Sequence, residues 1–287
     1  MSVVLHRRSS SNGVVYYASA ILEAIGVRHA FSTRIGGISP PPFDSLNLGN
    51  PSGCAVQDDY DRIWTNYALL LSCIGCPTEP PLRVHQVHGN AVTEVQTGKS
   101  FDTGCQADAL VSRDSHRAIS VRTADCVPIL LGSADGSVVA AVHAGWRGII
   151  AGVIPATVKR MTAAAGQPAT TFRAAIGPCI GMGAFEVAAD VLAEFEKVFA
   201  RQMAGGEPRE KALPFGSRPN GVDGKGNVDL GAAARLQLLN CGIDERHLDS
   251  ADRCTATHQD EFFSHRRDHG VTGRMAAIIA ANGSEHA

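Results

Sequence analysis

Residues 108–148 read DALVSRDSHRAISVRTADCVPILLGSADGSVVAAVHAGWRG, and this stretch decides the fold. Apolar, β-rich runs at 108–113, 117–123, 127–132 and 137–143 follow one another closely. Turn-forming Arg113-Asp114-Ser115 and Ala134-Asp135-Gly136 separate them. Runs this short, joined by turns, predict a close series of strands. The pattern then becomes helical over 147–164, with a kink expected at Pro155. Further outward, helices are predicted at 57–73, 184–203 and 229–240, and strands at 172–177 and 274–281, the last apolar on both faces. Acidic residues open the 57–73 helix, where they suit the helix dipole. Ser39-Pro40-Pro41-Pro42 is a rigid loop, 1–13 reads as a frayed start, and 204–227, rich in Gly, Pro and charge, reads as a mobile excursion. With no internal repeat and no linker, residues 1–287 are expected to form one α+β domain.

Composition narrows the function. Hydrophobic residues make up 44% and charged residues 19% of 287, an ordinary globular balance. A formal net charge of -2 gives no electrostatic case for nucleic acid or an anionic membrane surface. The longest apolar stretches, 137–144 and 275–281, are too short to span a bilayer. The start MSVVLHRRSSSNG lacks the apolar core of a secretory signal, so a cytoplasmic location is expected. In that setting the eight cysteines are free thiols or metal ligands rather than a disulfide framework.

The chemistry concentrates in Arg83-Val84-His85-Gln86-Val87-His88-Gly89-Asn90, Thr123-Ala124-Asp125-Cys126-Val127-Pro128 and Val142-His143-Ala144-Gly145-Trp146-Arg147-Gly148. Each sets a His or Cys among small or turn-forming residues at the end of an apolar run, where functional side chains project from a scaffold. Two imidazoles and a thiolate suit zinc's preference for nitrogen and sulfur, and three protein ligands leave a position open. The bland reading is a hydrogen-bonded structural His and a small buried Cys. In an extended segment His85 and His88 face opposite sides, so only one can be a ligand, and the pattern does not choose between them.

These segments resemble the laccase-domain, or polyphenol oxidase, proteins of the YfiH type. The resemblance runs through Ser32-Thr33-Arg34-Ile35-Gly36-Gly37, Ser45-Leu46-Asn47-Leu48-Gly49, Ile176-Gly177-Pro178 and Phe185-Glu186-Val187. It continues in Asp252-Arg253-Cys254-Thr255 and Phe262-Phe263-Ser264-His265-Arg266-Arg267-Asp268. It implies zinc ligands at His88, Cys126 and His143, choosing His88 over His85. It also implies a layered α/β/β/α architecture with mixed sheets and an internal duplication, similar to bacterial toxin deamidases. The implied activity is phosphorolysis of purine nucleosides (adenosine, inosine, guanosine, methylthioadenosine), with adenosine deamination beside it. Phosphate is then a co-substrate. A multicopper oxidase needs a His-rich cluster, typically from His-x-His pairs, and none of the eleven His forms such a pair.

On that reading an open zinc lowers the pKa of its bound water to about 7 for deamination. Arg34 and Arg147 are candidate phosphate binders, because guanidinium grips phosphate in bidentate fashion. Arg147 sits where a helix N-terminus would add main-chain donors. Asp125 is a candidate catalytic base or ligand orienter, although in an extended segment it points away from Cys126. Asn47 and Gln86 are candidate readers of a purine edge or sugar hydroxyl. Trp146 and Phe185 are candidate stacking surfaces. Cys73-Ile74-Gly75-Cys76 lacks a second pair for a zinc knuckle, and Cys179 lacks a base. The rival readings are a Cys126–His143 amidase acting on peptidoglycan precursors, and a non-enzymatic regulator stapled by zinc.

Overall fold

In the computed structural model, which describes residues 3–202, 216–217 and 224–283, the strand-rich stretch splits between two sheets. Ala109–Ser112, Val127–Gly132 and Val139–Ala144 lie together in a seven-stranded sheet. Its order is Val3–Val4, Leu248–Ser250, Arg173–Ile176, Val127–Gly132, Val139–Ala144, Ala109–Ser112, Val92–Val95. Ile119–Thr123 crosses to a five-stranded sheet, where it forms one edge beside Met275–Ala280, followed by Arg28–Ser32, Val15–Ala18 and His6–Ser9. A small third sheet holds Glu186–Val187, Gly226–Val228 and Gly216–Ser217.

Alternation along the strands builds the layers. Val127, Ile129 and Leu131 face the helices Trp146–Ala151, Val153–Ala165, Ala189–Gln202 and Leu230–Asn240. Leu130, Val139 and Ala141 face the other way, against Val121, Ala277 and Ile279 of the second sheet. That sheet's outer face, with Ala276 and Ile278, packs on Ile63, Tyr67 and Leu70 of the helix Tyr60–Cys73. The result is the expected α/β/β/α order. Leu130, wholly buried between the sheets, would cost about 2–5 kcal/mol if cut to Ala.

Three expectations need correction. The chain start is not frayed from residue 3 on: Val3–Val4 pairs with Asp249–Ser250, and His6–Ser9 pairs with Val15–Ala18. The segment reads as frayed because it is a polar, exposed edge strand, with Arg7 on Glu261 and Arg8 on Glu23. The helix after the hairpin breaks at Gly152, in the left-handed conformation at φ 83, and not at Pro155. Pro155 lies in the first turn of the second helix, where its missing N–H has no partner to lose. The 184–203 helix begins only at Ala189, after a short turn at Met182–Ala184 and the strand Glu186–Val187. Of the 204–227 excursion, Gly216–Ser217 and 226–227 pair in the third sheet, and 203–215 and 218–223 lie outside the described residues. No helix among the described residues is long and apolar enough to cross a membrane.

Candidate metal centre

Strand register assembles the site. Val127–Gly132 and Val139–Ala144 pair antiparallel, with Val127 opposite Ala144. Cys126, one residue earlier, therefore arrives beside Gly145 and His143. Asp135 pins the turn of this hairpin: its Oδ1 accepts from Ser133 Oγ at 2.6 Å and from Ser137 N at 3.1 Å. Ala109 pairs with Val142 on the other side, which sets Asp108 against His143, whose N–H donates to the Asp108 carbonyl at 2.8 Å. His88 comes from a separate loop and takes φ 59, a conformation uncommon outside glycine. The ligand atoms of His88, Cys126 and His143 all lie within 4.8 Å of one another. His88 stands at the exposed rim and His143 is buried.

Asp108 holds this arrangement and was not singled out from the sequence. It is fully buried, and its carboxylate collects four donors. Oδ1 accepts from the His88 N–H at 2.9 Å and from His143 Nδ1 at 2.8 Å. Oδ2 accepts from the Gly89 N–H at 2.6 Å and the Val87 N–H at 3.2 Å. One carboxylate thus shapes the loop that carries one ligand and fixes the tautomer of another, leaving Nε2 of His143 free for a metal.

The electrostatics follow from the packing. Burial pushes the Cys126 thiol up, but the imidazoles of His143 and His88 outweigh it and bring it down to about 6. Burial lowers His143, while Cys126 and Asp108 carry it up to about 9. Burial also works against the Asp108 carboxylate. The bonds from His143, Gly89 and His88 nevertheless hold it below the usual carboxylate range. A thiolate at neutral pH is the form that binds metal.

This donor set could hold a metal ion. Ligand atoms that all lie within 4.8 Å of one another are close enough to share one ion. An ideal Cβ on Gly145 would lie 2.7 Å from His88 Nδ1 and 3.1 Å from Cys126 Sγ, so only glycine leaves the ligands their room. Among the described residues no second group of three or more His, Cys, Asp or Glu gathers in this way.

The ligands open onto a cavity of about 460 Å³, within the range of small-molecule pockets. Of the residues singled out in the sequence, Arg147, Gln86, Asp125, Trp146 and Phe185 line it. Their bonding, however, separates them. Arg147 is exposed, with its guanidinium 4.3 Å over Trp146. Gln86 spends its amide on the open edge of Ile119–Thr123, donating to the Arg122 carbonyl and accepting from the Arg122 N–H, both at 2.8 Å. Asp125, at φ 95, accepts from Thr255 Oγ1 at 2.6 Å and from the Arg266 N–H at 2.7 Å. It ties the 252–268 segment to the site rather than facing the thiolate.

Two residues do not reach the cavity. Asn47 is fully buried; it donates to Asp58 and accepts from the N–H groups of Gly49 and Arg274. Arg34 donates to the carbonyls of Asp44 and Gln259, pairs with the Asp44 carboxylate at 3.0 Å and stacks on Phe263. Arg122, Arg274 and Arg266 do line it, together with His265, and sequence reading passed over the three arginines because each sits in or beside a strand or loop with no visible partner.

Known proteins resemble the chain over this whole fold. The model of a family described as multi-copper polyphenol oxidoreductase laccase matches residues 28–282. Proteins of Shigella flexneri and Escherichia coli K12, each named purine nucleoside phosphorylase YfiH, are 39% identical over 254 residues, which is 88% of this chain and 93% of theirs. The crystal structure of YlmD from Geobacillus stearothermophilus superposes with a TM-score of 0.80 at 29% identity, covering 98% of this chain and 100% of that one. Similarity of this extent, in sequence and in fold, means that the chain belongs to the laccase-like polyphenol oxidoreductase family.

Proposed function

We propose that the chain is a zinc-dependent purine nucleoside phosphorylase with a slow adenosine deaminase activity, working as one cytoplasmic catalytic unit. The observation that carries this reading is the convergence of His88, Cys126 and His143 at a cavity that is also lined by Arg122, Arg147, Arg266 and Arg274. The name borne by the 39%-identical relatives supports it. His88, Cys126 and His143 would hold the zinc, which supplies Lewis acidity at neutral pH. In phosphorolysis the glycosidic C1′–N9 bond breaks and a C1′–O bond to phosphate forms. The chain's part is to bind both partners in line and exclude water. Trp146 and Phe185 offer walls for the base, and Arg147 an entrance contact for phosphate. Asp108 keeps His143 oriented throughout.

Product analysis tests this. Zinc-loaded protein should convert inosine plus phosphate to hypoxanthine and ribose 1-phosphate, and adenosine alone slowly to inosine. Chelation should stop both.

One observation favours a second reading. Asp108, His143 and Cys126 form a relay in which an acidified thiol faces an imidazole held by a carboxylate, the arrangement of a cysteine amidase. A muramoyl-amino acid amide should then be cleaved by metal-free protein. Amide cleavage in that form, with no nucleoside turnover with or without zinc, would replace the first reading with the second.

A further inference from the structure

Arg122 and Arg274 share the cavity with the metal cluster, and neither is explained by the fold. Arg122 lies opposite Ala276 in the five-stranded sheet, and Arg274 is two positions before Ala276. Both side chains therefore leave the same face as diagonal neighbours. Arg274 is anchored by Nη1, which donates to the carbonyls of Thr272 and Gly273, each at 3.0 Å. The Arg122 guanidinium lies against the backbone of Gly49, where a Cβ would stand 2.8 Å from Nη1.

Among the described residues no carboxylate pairs with either arginine. Asp125 and the Cys126 thiolate act on Arg274 only through space. Asp125 has both oxygens on Thr255 and Arg266, and Cys126 belongs to the metal cluster. Burial pulls both guanidiniums below the usual arginine range, and the charge of Arg122 adds to the effect on Arg274. Two like charges held side by side and largely buried, with no carboxylate paired to either among the described residues, work against folding unless something anionic completes them. Arg147 and Arg266 differ: both are exposed, and each stacks on an aromatic ring, Trp146 and Phe185.

We propose that Arg122 and Arg274 form the seat of the phosphate dianion, with Arg147 at the entrance only. Two guanidinium forks match the oxygens of a dianion and hold it inside the cavity that the metal cluster borders. This rests on the phosphorolysis reading for the identity of the anion, but not for its existence.

Inorganic phosphate titrated into the zinc-loaded protein by calorimetry tests it, with no nucleoside present. Arg122→Gln and Arg274→Gln should each weaken phosphate binding by about tenfold to a hundredfold at unchanged zinc content. Arg147→Ala should weaken it by less than about threefold. Phenylglyoxal labelling of the wild-type protein, mapped by peptide mass spectrometry, gives an answer that needs no variant. Phosphate should protect Arg122 and Arg274 and leave Arg246, which is exposed and does not line the cavity, unprotected. Unchanged affinity in both glutamine variants, or protection of Arg147 alone, would overturn the assignment. A nucleoside 5′-monophosphate carries the same dianion. Inorganic phosphate should bind in the presence of inosine; if inosine expels it and AMP binds to this pair instead, the co-substrate assignment falls. Tight phosphate binding here without nucleoside turnover would sink the phosphorylase reading and leave the anion seat standing.

Discussion

Replacing Asp108 by Asn probes the centre's design, because the carboxylate has four donors and an amide can serve only two of them. With the amide nitrogen at the Oδ2 position, the N–H groups of Val87 and Gly89 lose their acceptor and meet a donor instead. With the nitrogen at Oδ1, the His88 N–H and His143 Nδ1 are the ones deprived. His143 could then accept through Nδ1 only by moving its proton to Nε2, which removes it as a ligand. Each buried donor left unsatisfied costs about 1–3 kcal/mol, so either orientation costs about 2–6 kcal/mol in all. The loss divides between loop stability and metal affinity. Disturbing the residue behind a metal-bound histidine typically costs about 10–100-fold in affinity. Chelator competition measures zinc affinity, and thermal unfolding of the metal-free protein measures the loop. Asp108→Asn should lose on both, with affinity down by at least about tenfold. An Asn variant that binds zinc within twofold of wild type and unfolds at the same temperature would refute the role given to Asp108.

Three further outcomes are expected. Gly145→Ala should weaken zinc binding at least about tenfold, since its methyl falls 2.7 Å from His88 Nδ1, while the metal-free fold loses under about 1 kcal/mol; wild-type zinc affinity would show that the ligands have slack. Alanine at His88, Cys126 or His143 should each empty the site, whereas His85→Ala should keep its zinc. The His85 side chain is exposed and only its backbone pairs, with Cys105 and Ala107; zinc loss in that variant would count against the ligand set. Stability should also fall in mild acid through His29. Burial lowers this imidazole below its free value of about 6.5, and its Nε2 accepts the Ser19 N–H at 2.8 Å, which requires the neutral ring. Below about pH 6.5 the unfolded chain takes up a proton that the folded one refuses. Stability is therefore full above that pH and declines as pH falls towards the folded-state value. Urea midpoints that decline equally for wild type and His29→Gln would remove His29 from this effect.

Much of the fold was legible in 108–143 because apolar alternation and turn residues are local signals. What was not legible was which sheet each strand joins. Ile119–Thr123 reads like its neighbours, and only its packing against Met275–Ala280 assigns it elsewhere. The candidate metal ligands stood out by residue type, and the family resemblance selected among them. Asp108 did not, since an acid at the head of an apolar run looks like a strand boundary until register sets it against His143, 35 residues away. Arg34 and Asn47 misled in the opposite sense. Guanidinium and amide groups bind backbone as readily as ligands, and here both are consumed by the carbonyls, N–H groups and carboxylates of adjoining loops. Arg122 and Arg274 were hidden because their significance lies in the partners they lack, which no local pattern displays.

Zinc titrated stepwise into metal-free protein, with inosine and phosphate in excess, tests the central claim most directly. Bound zinc and ribose 1-phosphate are read on the same samples. Turnover should rise in proportion to bound zinc and level off at about one zinc per chain, the capacity of a single three-ligand site. Turnover independent of zinc, or stoichiometric copper with an intense blue thiolate band and no ribose 1-phosphate, would contradict it.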